Sequence, residues 1–206
     1  MTRKAYILTC DKQSERAKHS EYLLSSIGFD VILCNVVPFP TCVATSNLMS
    51  MINVYQRISQ SDDEWSYVFE DDLNYLEPIT LSEIIEYESI SDHLFYLGCC
   101  MADISRANKT KNLINGHTVH TINKTACLHA LALKKSSINL IYTYIEKYSY
   151  LKFLDQIIGD KFVGDHGANV VRYDLISPQE CGHRGIIYQD RIKFPSLWKE
   201  DNWGIK

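Results

Sequence analysis

Apolar residues along this chain come in short blocks whose spacing alternates between two periods. Ala5-Tyr6-Ile7-Leu8-Thr9 is nearly continuous in its apolarity, the mark of a strand buried on both faces. From Ser14 to Ile27 the spacing turns helical: Ala17, Leu23, Leu24 and Ile27 form a stripe, Ser14 is placed to cap its start, and Gly28 ends it. Val31-Ile32-Leu33-Cys34 returns to strand. A strand, a short crossover helix and a second strand predict a parallel pair with a right-handed connection. Pro38-Phe39-Pro40 then breaks the chain into a loop. Leu48, Met49, Ile52, Val54, Tyr55 and Ile58 predict a helix over 46–59, and Asp62-Asp63-Glu64 a solvated turn.

The block that follows is the most informative. Trp65 leads into Tyr67-Val68-Phe69, aromatic and β-branched residues that suit a buried strand, and these run directly into Glu70-Asp71-Asp72. Three adjacent acids cannot continue a strand into a dry core, because unpaired buried charges are very costly. The strand therefore ends at Glu70, and the acids sit at its carboxyl end, where open α/β sheets bind ligands. Glu70 and Asp72 project to the same side of an extended segment. Two carboxylates facing one point suit a hard divalent cation, Mg²⁺ or Mn²⁺. Acid triplets also occur as solvated loops and helix starts. The apolar strand before this one, and Leu73 and Leu76 after it, set it apart.

Downstream, Thr80 to Tyr87 predicts a short helix and His93 to Gly98 a further strand. Residues 101–118 are polar and predict a mobile loop. Val119 to Ile122 is expected to pair with Ala126 to Leu133. Ser136 to Tyr150 reads as a long helix, and Leu151 to Ile158 as a second helical piece. Val170 to Tyr173 is a late strand, and the tail from Cys181 has weak periodicity. The whole is expected to be one α/β domain over residues 1–206.

Composition narrows the function. A chain of 206 residues with 46% hydrophobic and 22% charged residues can bury a substantial core. A net charge of −4 argues against nucleic acid as a partner. No run approaches the length of a transmembrane helix, and Asp11-Lys12 cuts the first apolar run too early for a signal peptide. Seven cysteines stand without a CxxC spacing, so a structural zinc site has little support. They read as small buried hydrophobes suited to a reducing compartment, and a cytoplasmic location is expected. Two glycosylation sequons, Asn108-Lys109-Thr110 and Asn123-Lys124-Thr125, carry little meaning without a secretory signal. No GxGxxG follows the first strand and no GxSxG occurs, which speaks against a dinucleotide oxidoreductase and a serine hydrolase.

The order of parts resembles glycosyltransferase family 25, which includes bacterial lipooligosaccharide and collagen galactosyltransferases and has relatives in large DNA viruses. The resemblance rests on the first strand followed by Asp11 and Arg16, the strand ending in Glu70-Asp71-Asp72, and Tyr96-Leu97-Gly98. It extends to Cys127-Leu128-His129-Ala130-Leu131-Ala132-Leu133-Lys134-Lys135-Ser136, similar to the family's "THAY…kk" segment, to Asp155-Gln156, and to Pro178-Gln179 with Gly185-Ile186-Ile187-Tyr188-Gln189. The chain departs from the family where "GC…lSH" is replaced by Ala44-Thr45-Ser46-Asn47-Leu48-Met49-Ser50, and where Leu131 replaces the tyrosine of "HAY".

The resemblance implies a GT-A type fold with a mostly parallel central sheet flanked by helices. It implies a nucleotide-sugar donor, UDP-linked with galactose or glucose, a glycan or protein acceptor, inversion at the sugar, and Mn²⁺ or Mg²⁺ as cofactor. On this reading Asp72 and Glu70 hold the metal, a late-loop His183 completes its shell, and Asp71 lies nearer the ribose or sugar. Thr9, Cys10 and Asp11 contact base and ribose, and Arg16 approaches phosphate or pairs with Asp11. Asp155 is the candidate general base by its family position. His129 is a second candidate, although a histidine in an apolar strand also serves as a core residue. Two other classes stay open: a non-catalytic module of the same fold, and another divalent-metal phosphate enzyme.

Overall fold

A computed structural model describes residues 2–38, 42–100, 107–151, 153–177 and 183–195. The opening β1 (Lys4–Thr9), α1 (Glu15–Ile27) and β2 (Asp30–Asn35) form the expected strand–helix–strand unit, with the strands parallel and Lys4 opposite Asp30. Ser14 Oγ accepts from the Ala17 N–H at 3.2 Å and so caps α1. Gly28 closes the helix at φ 112°, a left-handed conformation that favours glycine. The chain continues through α2 (Val43–Gln60), β3 (Trp65–Glu70), β4 (Leu73–Tyr75), α3 (Leu81–Ser89) and β5 (Leu94–Cys100). Next come β6 (Asn108–Ile114), β7 (His117–Ile122), β8 (Ala126–Lys134) and α4 (Ile138–Lys147). A π-helix (Gln156–Phe162), α5 (Val163–His166), β9 (Ala168–Val170), β10 (His183–Gly185) and β11 (Ile187–Gln189) complete the described fold.

The main sheet is mixed and ordered β2-β1-β3-β8-β5-β9-β7-β6, with β10 added on β5. β2, β1 and β3 are parallel, whereas β8 runs against both β3 and β5. This reversal positions the site. With Phe69 opposite Ala130 and Cys100 opposite Ala126, the amino end of β8 lies at the sheet edge where β1, β3 and β5 end.

Strand alternation buries both faces of this sheet. Tyr6, Leu8, Val68, Tyr96, Leu131 and Leu133 pack toward α2, α4 and the π-helix. Ala5, Ile7, Tyr67, Phe69, Phe95, Leu97 and Ala132 pack toward α1 and α3. The expected α/β class is the one observed, as are the helices near 14–27, 46–59 and 80–87. The long helix is α4, shorter than 136–150 and flanked by 3₁₀ turns. The second helical piece is the π-helix, shifted toward Phe162.

Four expectations are corrected. Much of the polar stretch 101–118 is the β6–β7 hairpin, turned by Asn115 and Gly116 at φ 47° and 82°, while residues 101–106 lie outside the described residues. As the margin of the sheet, β6 is exposed along most of its length, so no apolar alternation marks it. Val119 to Ile122 does not pair with 126–133: β7 joins β6 and β9, and β8 inserts instead between β3 and β5. The late strand stops at Val170, because Val171 to Asp174 turn, with Arg172 at φ 46° and its guanidinium on Glu83 at 2.8 Å. Not all cysteines are free thiols: Cys100 and Cys127, 27 residues apart, form a disulfide that the antiparallel β5–β8 pairing brings together. Phe39-Pro40, Pro178-Gln179 and Cys181 lie outside the described residues.

Candidate functional site at the carboxyl edge of the sheet

The backbone of the acid turn is held from the first helix. Ser20 Oγ donates to the Asp71 carbonyl at 2.9 Å and accepts from the Leu73 N–H at 3.3 Å. A second clamp comes from the tail, where the Asp190 N–H donates to the Asp72 carbonyl at 2.7 Å beside the β4–β11 pair. The turn between β3 and β4 is thus fixed on both sides.

Asp72 is fully buried, yet compensated. Its Oδ2 lies 2.8 Å from Arg191 Nη1 and 3.3 Å from Arg16 Nη2, and the same Arg16 nitrogen lies 2.7 Å from Asp71 Oδ1. Among the described residues, no arginine is ion-paired with Glu70. Its Oε2 accepts from Gln189 Nε2 at 2.6 Å, and that amide nitrogen also reaches Asp72 Oδ1 at 3.4 Å. Burial, then the neighbouring Asp72, pushes the Glu70 carboxyl up to about 7. Asp72 is raised too, by burial, with Arg191 and Arg16 opposing.

All of these groups except Asp72 border a cleft of about 220 Å³. Thr9 and Cys10 at the end of β1, Arg16, Glu70, Asp71, Gln189 and Arg191 line one part of it; Cys127, Leu128, Leu154 and Asp155 line another. Thr9 Oγ1 is tied to the Asp11 backbone, while the Asp11 carboxylate accepts from the Gln13 N–H at 2.8 Å and is not among the lining groups. Asp155 is half-buried, and burial raises its pKa against the backbone N–H of Gln156, from which it accepts at 3.0 Å. Six of the expected site residues therefore meet at one cleft, and the buried Asp72 contacts Arg16, Arg191 and Gln189 of its lining.

The two histidines lie elsewhere. His129 is fully buried behind β5, with Nε2 at 3.3 Å from the Ile187 carbonyl. Gly98 permits this approach: a Cβ there would lie 1.7 Å from that carbonyl and 2.9 Å from Nε2. Burial, then His183, drives the His129 imidazole down to about 3, so it is neutral. His183 stacks on it at 5.1 Å. Neither ring lines the cleft. Asp165 and His166 both contact Tyr144 Oη, at 2.6 and 3.2 Å, on a separate helical face.

Sequence reasoning missed Ser20, Gln189 and Arg191. No local signal marks the serine. The stretch Ile187-Tyr188-Gln189 did offer alternation, too short to stand out without its β4 partner.

Neither a protein-family model nor a curated protein matches the chain by sequence, so the family 25 resemblance rests on its motifs alone. Among solved structures, the chain is similar to a glycosyltransferase involved in the glycosylation of the major capsid of PBCV-1. The identity is 11%, covering 77% of this chain and 74% of that one, with a TM-score of 0.45. It is also similar to A197 from STIV, at 11% identity, 68% of each chain and a TM-score of 0.44. HddC from Yersinia pseudotuberculosis matches at 12% identity, 66% of this chain and 78% of that one, with a TM-score of 0.31. No helix among the described residues is long and apolar enough to cross a membrane.

Proposed function

We propose that this cleft binds a nucleotide-sugar, UDP-linked with galactose or glucose, and transfers the sugar with inversion to a hydroxyl of a glycan or protein, in a GT-A type fold resembling family 25. One observation carries the reading. Glu70 Oε2 and Asp72 Oδ1, two carboxylate oxygens at the mouth of the sheet, converge on a single nitrogen of Gln189. Convergence on one point is what a hard cation requires, and the donors are all oxygen, so the residues fit Mn²⁺ or Mg²⁺ once the amide swings aside. Glu70 and Asp72 would hold the ion, with Asp71 on the cleft wall beside them. When bound, such an ion neutralises charge on a departing nucleoside diphosphate.

The chain's own groups account for the rest. Arg16 and Arg191 border the cleft and supply two fixed cations for phosphate oxygens, where preorganised charge acts most strongly. Thr9 and Cys10, ending β1 on the same edge, are set to meet ribose and base. Asp155 is desolvated, hence a stronger base than a free carboxylate, and takes the proton of the acceptor hydroxyl.

A second reading, a binding module of the same fold without turnover, is favoured by the Gln189 amide already filling the convergence point. A panel of nucleotide-sugars with and without Mn²⁺, on the wild type and Glu70→Gln, separates the two. Cation-dependent release of one nucleotide, lost in the variant, supports transfer. Nucleotide binding with no turnover in the presence of acceptor glycans supports the module. Failure to bind any nucleotide overturns both.

A further inference from the structure

Behind the cleft wall lies a second cluster of a different chemistry. Among the described residues, Cys100, Cys127 and His129 bring two sulfurs and an imidazole nitrogen within 4.8 Å of one another. The two cysteines come from β5 and the start of β8, and His129 stands two residues along β8 from Cys127. A carbonyl oxygen can only accept, so the contact with Ile187 makes His129 Nε2 the protonated nitrogen. Its Nδ1 is then a bare lone pair, buried in a fully buried side chain with no hydrogen-bond partner among the described residues. An unpartnered buried acceptor is costly and calls for an explanation. A metal-binding histidine commonly has this arrangement, one nitrogen fixed by a backbone carbonyl and the other free to ligate.

We propose that the dithiol form of this chain binds one Zn²⁺ through Cys100, Cys127 and His129 Nδ1, and that the Cys100–Cys127 disulfide is the metal-free, oxidised state of the same site. Two thiolates and an imidazole are the donor set that favours zinc over Mg²⁺ or Mn²⁺, in contrast to the oxygen donors of Glu70 and Asp72. Tetrahedral zinc holds its sulfurs about 3.8 Å apart at the usual Zn–S distance, a separation that two sulfurs reach once the bond between them is broken. The chemistry balances with a thiol or phosphine reductant. Two electrons cleave the Sγ–Sγ bond, two protons go to the sulfurs, the reductant is oxidised, and Zn²⁺ then displaces those two protons. Cys127 also lines the cleft together with Asp155, so the state of this site bears on the cleft wall.

The test uses the full chain, stripped with a chelator and kept in a phosphine reductant. Titration with Co²⁺ as a zinc surrogate is expected to give one equivalent with thiolate-to-cobalt absorption, displaced by Zn²⁺. Oxidation to the disulfide abolishes it, and Cys127→Ser weakens it by more than about 100-fold, beyond the loss of a mere outer-shell partner. Thermal melts of the same samples cover the case in which reduction loosens the fold: Zn²⁺ raises the Tm of the reduced wild type and not that of Cys127→Ser. Absence of the thiolate band, or a Zn²⁺ effect on Tm that Cys127→Ser retains, overturns the proposal.

Discussion

Two donor sets share one edge of the same sheet and differ in almost every physical respect. The acid turn after β3 offers carboxylate oxygens, borders the cleft, and is partly neutralised by Arg16 and Arg191. The Cys100–Cys127–His129 cluster offers sulfur and imidazole and lies largely buried. The first set is held by hydrogen bonds from distant segments, Ser20 in α1 and Asp190 in the tail. The second is brought together by strand pairing, because β8 runs antiparallel to β5, and is tied by the disulfide and by the His129 contact with the Ile187 carbonyl. The contrast shows how one fold keeps hard and soft chemistry apart: charge compensation maintains the first, and dry packing maintains the second.

The largest way to break this contrast is to remove the compensation. Arg16→Ala with Arg191→Ala leaves Asp72 as a buried, unpaired charge, and a loss of about 3–5 kcal/mol in urea unfolding is expected. Adding Asp72→Asn to that background should recover most of the loss; no recovery would mean that the arginines act through packing instead. A smaller loss, about 1–2 kcal/mol, is expected for Ser20→Ala, which strands the Asp71 carbonyl and the Leu73 N–H.

The pH response sharpens the comparison further. Burial and Asp72 hold the Glu70 carboxyl at about 7 in the folded chain, above its value when unfolded. A raised folded value means that this group's contribution to stability is complete below the unfolded pKa and is lost as pH rises through about 7. Cation-free wild type should therefore lose Tm over that window, and Glu70→Gln should lose less, since only the raised Asp72 carboxyl remains. Saturating Mn²⁺ should flatten the wild-type profile, because the ion takes the place of the proton.

How much of this was legible in the sequence follows from where each signal resides. The strand-to-acid transition at Phe69-Glu70 is local: a dry strand cannot carry three carboxylates, so its end and the cleft edge could be read directly. The same holds for α1, where Ser14 and Gly28 fix both ends. The hairpin at Asn115-Gly116 was also written locally, but the exposed β6 lacks the apolar alternation that would have prompted a search for it. Gln189 and Arg191 were out of reach, since their role depends on a tail strand pairing with β4 more than a hundred residues earlier in the chain. The disulfide was hidden for the same reason: no spacing rule links Cys100 to Cys127 until β8 is known to lie beside β5.

The most direct test of the central claim is calorimetric titration of UDP into the wild type and Glu70→Gln at pH 8, with and without Mn²⁺. If Glu70 and Asp72 converge to hold a cation that meets the diphosphate, Mn²⁺ should tighten UDP binding to the wild type by about tenfold or more, about 1.4 kcal/mol, and leave the variant unchanged. Equal tightening in both proteins, or no effect of Mn²⁺ on the wild type, would contradict the account.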